Sequence, residues 1–205
     1  MAYKYNHKTK RTLLTSDERG FLIRPVSVGR PDSVETVQKQ AAMKEVIIRE
    51  IRTEELDILD ELMYQSIYQP EGSKPIPREV TKIPEVNIYI DAFGSKKDDY
   101  CLVAELEERI IGAVWVRILA DEIKGYGNID SQTPEFAISL FKEYRNKGIG
   151  TLLMQKMIEY LKGKGYAQIS LSVQKQNNAV RMYQNLGFEI IRENDEDYIM
   201  VLKLN

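Results

Sequence analysis

The apolar and polar positions between residues 45 and 205 predict strands and helices that follow one another along the chain. Short segments in which apolar residues alternate or run together, bounded by glycine, proline or charged residues, are typical of strands. They lie at 46–51, 100–106, 110–119, 135–141, 168–173, 188–192 and 198–202. Only Glu107, Glu108 and Arg109 separate the second segment from the third, which predicts an antiparallel hairpin with a tight connection.

Helical spacing of apolar residues predicts helices between these strands. The first follows Thr53, a residue type that caps helices, and its apolar positions extend to Ile67. Two more are predicted at 148–162 and 178–186, and each is followed by glycine, which commonly ends a helix. The segment 86–93 carries only a weak signal. The carboxy-terminal half has the order strand, helix, strand, helix, strand, strand, which places the chain in the α/β class.

Residues 1–44 lack this regularity, so we expect an amino-terminal extension of uncertain structure before a domain at 45–205. The extension has nine Lys and Arg against four Asp and Glu, whereas the remainder has twenty against twenty-seven. A modestly acidic domain argues against nucleic acid as its partner, because phosphate binding relies on clustered Lys and Arg. Docking to nucleic acid or to an acidic partner through Lys4, Lys8, Lys10 and Arg11 stays open as an alternative, as does a homodimer arm.

Composition limits the chemistry that this chain can perform. The chain has 205 residues, of which 43% are apolar and 29% charged, with no apolar run as long as a membrane helix and no stretch resembling a secretory signal. We therefore expect a cytoplasmic protein. One cysteine, Cys101, and one histidine, His7, rule out an intrachain disulfide and a thiolate zinc cluster, and we expect no metal site. Carboxylates, tyrosines and backbone amides must carry the chemistry.

A glycine-containing loop between a predicted strand and a predicted helix is the first candidate site. Its sequence is Arg-Asn-Lys-Gly-Ile-Gly at 145–150. Glycines at such a junction let the backbone approach a ligand, and free amides at a helix start favour an anion such as a pyrophosphate. A Walker loop requires the lysine to follow the glycine, and a dinucleotide fingerprint requires glycine at 153, which is leucine here. Both of those nucleotide-binding readings fail.

Two motifs resemble those of the Gcn5-related N-acetyltransferases (GNAT family). The loop at 145–150 matches the family's Gln/Arg-x-x-Gly-x-Gly/Ala signature, and about thirty residues later the segment 176–188 is similar to its Asn-x-Ala, Tyr and Leu-Gly-Phe segment. The resemblance covers roughly 45–205. It implies a mixed sheet of about seven strands flanked by helices, with acetyl-coenzyme A (acetyl-CoA) as cosubstrate in a V-shaped opening between the fourth and fifth strands.

The same resemblance implies the residues that hold acetyl-CoA. Backbone groups at the end of the fourth strand would hold the pantetheine arm, the loop and helix start would cradle the pyrophosphate, and an asparagine at the next helix would cap that helix or bind the arm. These residues are Leu140, Phe141, Lys142, Arg145, Asn146, Lys147, Gly148, Ile149, Gly150, Thr151, Asn177 and Asn178.

Two catalytic residues are predicted. Tyr183 falls where the family places a tyrosine that protonates the departing sulfur, and a phenol with a pKa near ~10 suits that role. Glu135 is a candidate base for the amine, at the start of the strand that leads to the loop. Strand alternation puts Glu135 on the face opposite to Phe136, and the sequence leaves open which face meets the acceptor.

The function predicted is transfer of an acetyl group from acetyl-CoA directly to a primary amine of a small molecule or peptide. The irregular segments 69–77, 86–93 and 125–132 would determine the acceptor, with Tyr68, Tyr89, Trp115 and Tyr126 as candidate pocket residues. A module that binds or senses an acyl-CoA without catalysis is the alternative.

Overall fold

A seven-stranded mixed sheet forms the centre of the structure, a computed structural model that describes residues 46–70 and 72–204. The strand order is β1-β2-β3-β4-β5-β7-β6, and every neighbouring pair is antiparallel except β4 and β5. The strands are β1 (Ile47–Glu50), β2 (Tyr100–Leu106), β3 (Arg109–Arg117), β4 (Glu135–Leu140), β5 (Gln168–Gln174), β6 (Glu189–Glu193) and β7 (Asp197–Lys203). The predicted fold class and the predicted strands are confirmed.

Helices cover both faces of the sheet. They are α1 (Ile58–Ser66), α2 (Pro84–Asn87), α3 (Ile149–Gly163) and α4 (Ala179–Asn185). On one face Leu59 and Leu62 of α1 pack with Trp115 of β3. On the other face Leu153 and Met157 of α3 pack with Phe136 of β4 and with other apolar strand residues. Each face of the sheet therefore has its own apolar core, and residues that alternate along β4 enter different cores.

The pairing of β4 with β5 is short. The two parallel strands share a single register pair, Glu135 with Ser170. Beyond it, β4 continues to Leu140 while β5 pairs with β7 over its whole length. The strands therefore separate towards their carboxyl ends and leave a gap in the sheet, which we call the β4–β5 gap.

One helix prediction is wrong at its amino-terminal end. Thr53 does not cap a helix but begins a 3-10 turn, Thr53–Glu55, and α1 starts only at Ile58. The physical reason is the Glu55 carboxylate, which accepts the backbone amide of Arg52 at 2.9 Å and pairs with Arg49 at 2.7 Å. These bonds stabilise a separate turn before the helix.

Several predictions fall outside the described residues. The extension 1–44, including His7 and the basic residues proposed for docking, is among them. Among the helices that are described, none combines the length and apolar character needed to cross a membrane.

A buried ion pair fixes the segment that follows α2. Arg117, at the end of β3, is paired with Asp99 at 2.7 Å, and both side chains are almost fully buried. The same guanidinium donates to the backbone carbonyls of Ile88 at 2.7 Å and Asp91 at 2.9 Å. Residues 88–91 are therefore held against the sheet by a charged group whose other donors are satisfied by a carboxylate.

Removal of this ion pair should destabilise the protein strongly. Arg117→Met leaves the Asp99 carboxylate buried without its charged partner and removes the donor to two backbone carbonyls, so we expect the free energy of unfolding to fall by about 3 to 5 kcal/mol. Urea denaturation measures it. The control is Lys156→Met, which removes an exposed pair with Glu159 and should leave the midpoint nearly unchanged. Equal effects of the two substitutions would contradict the structural role of Arg117.

Candidate active site

The loop between β4 and α3 bends through two left-handed residues. Asn146 has φ 61° and Gly148 has φ 88°. Left-handed residues within such a turn point successive amides into one concavity, which is a common geometry for binding anions. A Cβ on Gly150 would lie 3.6 Å from Leu140 Cδ1 and 3.6 Å from Met182 Sδ, so the loop lies close to both β4 and α4.

A run of backbone amides in this loop is free to bind a ligand. From residue 146 to 151 no amide has a hydrogen-bond partner among the described residues. The run ends at Leu152, whose amide donates to the Gly148 carbonyl at 3.1 Å. It does not include Arg145, as the sequence had suggested, because the Arg145 amide donates to the Lys142 carbonyl at 3.3 Å and closes the preceding 3-10 turn. We call the residues 146–151 the amide cradle.

The electrostatics of the amide cradle favour a negatively charged ligand. The first turn of α3 contains no acidic residue, so nothing there opposes the positive end of the helix dipole. Lys142 and Lys147 are exposed beside the loop, and the Lys147 ammonium lies 5.5 Å from the centre of the Tyr144 ring. The Arg145 side chain is already engaged, since it donates to the Leu140 carbonyl at 2.8 Å and to Gln65.

The end of β4 presents backbone groups to the gap. The Phe141 amide donates to the Ile111 carbonyl at 3.1 Å, so Phe141 is bonded to β3. Along an antiparallel strand the backbone groups of successive residues point to opposite sides. The amide and the carbonyl of Leu140, the residue before Phe141, therefore point away from β3 and towards the β4–β5 gap. The Leu140 amide is therefore available there, while its carbonyl accepts Arg145. The amide of Phe141, which is also predicted to hold the cofactor, is not available in the gap because it is bonded to β3.

The two asparagines at the start of α4 have different roles. Asn177 Oδ1 accepts the amide of Ala179 at 2.9 Å and so caps the first turn. Asn178 makes no capping bond and its side chain is exposed. The predicted cap is thus Asn177 rather than Asn178, and the side-chain NH₂ group of Asn177 keeps its donors.

Tyr183 lies in the core on the α3 side of the sheet. Its ring is 6% exposed and packs edge-on against Phe136 at 5.7 Å and Phe188 at 5.9 Å. Burial raises the pKa of the phenol above its ordinary value, which keeps the hydroxyl protonated. Packing therefore accounts for the ring, and the catalytic role of the hydroxyl stays a prediction.

Glu135 lies on the opposite face of the sheet, at the point where β4 and β5 part. It is 2% exposed. Its Oε1 accepts the Tyr89 hydroxyl and, at 2.7 Å, the amide of Gly127. Its Oε2 is buried and has no partner among the described residues. Both hydrogen bonds thus fall on one carboxylate oxygen and leave the other free.

The buried position changes the acidity of Glu135. Loss of solvation raises its pKa to about 7, although the hydrogen bonds from Tyr89 and Gly127 act in the opposite direction. A carboxyl with this pKa gains and loses its proton near neutral pH, as a general base must.

Two glycines bring a turn over the carboxyl group. A Cβ on Gly125 would lie 2.0 Å from Glu135 Oε2, and one on Gly127 would lie 2.5 Å from the backbone of Leu171 in β5. The turn therefore touches both strands at the apex of the gap. The sequence predicts that this segment contributes to acceptor binding but does not predict its contact with Glu135, for which the two glycines around Tyr126 are the only signal.

Three of the four aromatic residues proposed for an acceptor pocket separate into two groups. Trp115 is buried in the core beneath α1, which excludes a role in lining an open pocket. Tyr89 is 5% exposed and its hydroxyl is bonded to Glu135, whereas Tyr126 is 56% exposed. The rings of Tyr89 and Tyr126 stack with their centres 6.4 Å apart. Tyr126 is thus the aromatic residue at the surface above the carboxyl group.

Comparison with known proteins identifies a family whose model matches this chain. The model of the acetyltransferase (GNAT) family matches residues 62–188. N-acetyltransferase 8B of Homo sapiens is 28% identical over 88 residues, which cover 42% of this chain and 37% of that protein. The match thus spans little more than a third of the length of this curated relative.

Solved structures share the fold. PaiA N-acetyltransferase from Thermoplasma acidophilum, in complex with coenzyme A, has a TM-score of 0.57 at 24% identity, over 77% of this chain and 98% of that one. yncA from Salmonella typhimurium, with its cofactor acetyl-CoA, has a TM-score of 0.53 at 16% identity, over 78% and 95%. At these identities the structures support the fold alone.

The seven-stranded sheet that opens between β4 and β5 is a fold that this chain shares with solved acetyltransferases. Because the family model covers more than half of the chain, this chain belongs to the acetyltransferase (GNAT) family.

The raised pKa of Glu135 makes stability depend on pH. In the unfolded chain this carboxyl ionises near its ordinary pKa of 4.5, but in the folded protein only near 7. Stability contributed by the protonated group is therefore complete below 4.5 and is lost as pH rises through about 7. We expect Glu135→Gln to gain roughly 3 kcal/mol relative to the wild type between those limits.

Denaturant unfolding across this pH range measures the difference. Glu143→Gln, at an exposed glutamate on the 3-10 turn after β4, is the control and should leave the pH dependence unchanged. Parallel stability curves for the wild type and Glu135→Gln would show that the carboxyl ionises normally.

Proposed function

We propose that this protein transfers an acetyl group from acetyl-CoA directly to a primary amine of a small molecule or peptide. The observation that carries the proposal is the amide cradle: consecutive unpaired amides, at the positive end of α3, beside the gap in the sheet. A diphosphate requires such a site, and residues 146–151 fit it in charge, backbone direction and freedom from internal hydrogen bonds.

Other backbone and side-chain donors line the path from the amide cradle towards Glu135. The Leu140 amide faces the gap, and the Asn177 side chain retains donors at the start of α4. An extended amide-containing arm placed between β4 and β5 would complete the hydrogen bonding of the sheet as an added strand does. Acetyl-CoA, which supplies an activated thioester, has such an arm between its diphosphate and its thiol.

Glu135 is proposed to accept a proton from the amine, and Tyr183 to donate one to the departing sulfur. An amine must lose a proton as its nitrogen forms the new bond to carbon, and a carboxylate with a pKa near 7 accepts that proton at Oε2. The sulfur that departs needs a proton, and a buried phenol that stays protonated supplies one. The two residues lie on opposite faces of β4, so each can serve one partner of the reaction.

Acetyl-CoA binding tests the site, and Gly148 is the sharpest position. Gly148→Ala forces a residue with a Cβ into the left-handed conformation, at a cost of about 1 to 2 kcal/mol. The free loop relieves this strain by leaving the left-handed conformation, and binding of the diphosphate must restore it, so we expect the Kd for acetyl-CoA to rise by roughly tenfold, since 1.4 kcal/mol is a factor of ten. Isothermal titration calorimetry of folded protein measures it.

Gly165→Ala is the matched control. Gly165 follows the other end of α3, has φ 82° and has open space around its Cα, so the substitution imposes a similar strain away from the amide cradle. It should lower stability without weakening acetyl-CoA binding. No binding by the wild type would refute the proposed function, and equal losses of affinity in both variants would refute the placement of the diphosphate.

Tyr183→Phe tests the proton donor. The substitution keeps the packing against Phe136 and Phe188 and removes only the hydroxyl, so acetyl-CoA should bind with nearly unchanged Kd. We expect kcat to fall by about 10²-fold, the scale of general acid catalysis. Thiol release from acetyl-CoA, measured over a panel of alkylamines and free amino-terminal peptides, gives the rate. An unchanged kcat would assign Tyr183 to the core only.

A further inference from the structure

We propose that Tyr89 is a positioning residue for Glu135: its hydroxyl holds Oε1, so that Oε2 is the atom left to take a proton from the acceptor amine. The inference rests on the proposed function, in which Glu135 is the base. It concerns a residue forty-six positions away in the chain, which the sequence associated with the acceptor pocket instead.

The Tyr89 hydroxyl accepts one hydrogen bond and donates one, to Glu135. Its oxygen accepts the backbone amide of Tyr126 at 2.8 Å, so its hydrogen is free for the bond to Glu135 Oε1. The Gly127 amide occupies the same oxygen. Two donors on Oε1 fix the carboxylate in one rotamer and leave Oε2, beside Gly125, without a partner among the described residues.

Tyr89 is itself held in place from two sides. The segment that carries it is bonded by the Arg117 guanidinium, through the carbonyls of Ile88 and Asp91. Its ring is stacked against Tyr126 at an angle of 14°. A residue with both its backbone and its ring fixed can position another side chain at little entropic cost.

No charged group on the neighbouring strands holds the Glu135 carboxylate in place of Tyr89, among the described residues. Arg117 is its cross-strand partner on β3, but that guanidinium is engaged by Asp99. Ser170 is its partner on β5 and carries no charge. Partial burial, together with the charges of Glu85 and Asp197, raises the pKa of Tyr126 at the surface above Glu135. Burial and the neighbouring Glu135 raise the pKa of Tyr89 well above its ordinary range, so its hydroxyl remains a donor throughout the working pH.

Tyr89→Phe tests the proposal by a direct titration. The variant removes a hydrogen bond that favours the ionised carboxylate, so the Glu135 midpoint should rise from near 7 by roughly one to two pH units. Carbon-13 NMR of protein labelled at the glutamate carboxyl carbon, with the signal assigned through Glu135→Gln, measures it without any acceptor. Tyr126→Phe is the matched control: it keeps the ring and the backbone amide, and it should leave the midpoint in place.

A kinetic arm separates positioning from simple packing. With the best amine from the panel above, the acid limb of kcat/KM in Tyr89→Phe should move up with the titration midpoint, while the KM for acetyl-CoA is unchanged. In a Glu135→Gln background the same substitution should have no further effect on rate. An equal loss of rate in both backgrounds would overturn the proposal, as would a midpoint that stays fixed or falls.

The outcomes distinguish this inference from the proposed function. If acetyl-CoA does not bind or no amine is acetylated, the proposed function fails and the role of Tyr89 in catalysis fails with it. If binding and transfer are normal while the Glu135 midpoint does not move in Tyr89→Phe, only the role of Tyr89 is overturned.

Discussion

The single parallel pair between Glu135 and Ser170 is the constraint on which the rest of the structure depends. Two parallel strands that paired along their whole length would bury every backbone group of β4 that faces β5. Because pairing stops after one register position, the Leu140 amide remains available and the amide cradle lies beside open backbone. The same separation leaves the carboxyl of Glu135 at the apex of the gap, where the turn at 125–127 reaches both strands.

The alternation of side chains along β4 divides the chemistry between two faces. Phe136 packs against Tyr183 in the core beneath α3, while Glu135 points to the side of α1 and α2. One strand therefore presents the proposed proton acceptor on one face and packs the proposed proton donor on the other. An acyl group held in the gap would lie between them, which suits a reaction in which a proton is removed from one partner and given to the other.

Local sequence allowed prediction of those features that local geometry decides. Gly148 and the strand-to-helix junction predicted the amide cradle, because a left-handed residue at a helix start needs glycine and the amides that follow have no internal partner. The strands and the helices α3 and α4 followed from periodicity, to within a residue or two at most ends. The prediction that failed was the helix cap at Thr53, where the bonds of the Glu55 carboxylate to the Arg49 side chain and the Arg52 amide decided the outcome.

The contacts around Glu135 could not be predicted, because they join segments distant in the chain. Tyr89 follows a helix of only four residues with a weak pattern, and its partner on β4 is forty-six residues away in the chain. Strand alternation gave the relative faces of Glu135 and Phe136 but not which layer each one meets, since that depends on where the crossover to α3 passes. The assignment required the strand order, which the sequence does not contain.

The pKa of Glu135 depends on the Arg117 guanidinium being paired with another carboxylate. Arg117 occupies the adjacent position on β3, and side chains of cross-strand partners lie on the same face. An ion pair between them would lower the pKa of the carboxyl away from neutral pH. Asp99 prevents this, because it binds two guanidinium nitrogens of Arg117 at 2.9 and 2.7 Å while the third serves the carbonyls of Ile88 and Asp91. The guanidinium that fixes the Tyr89 segment is thereby neutralised, and Glu135 is left with neutral donors only, which hold its position without removing its basicity.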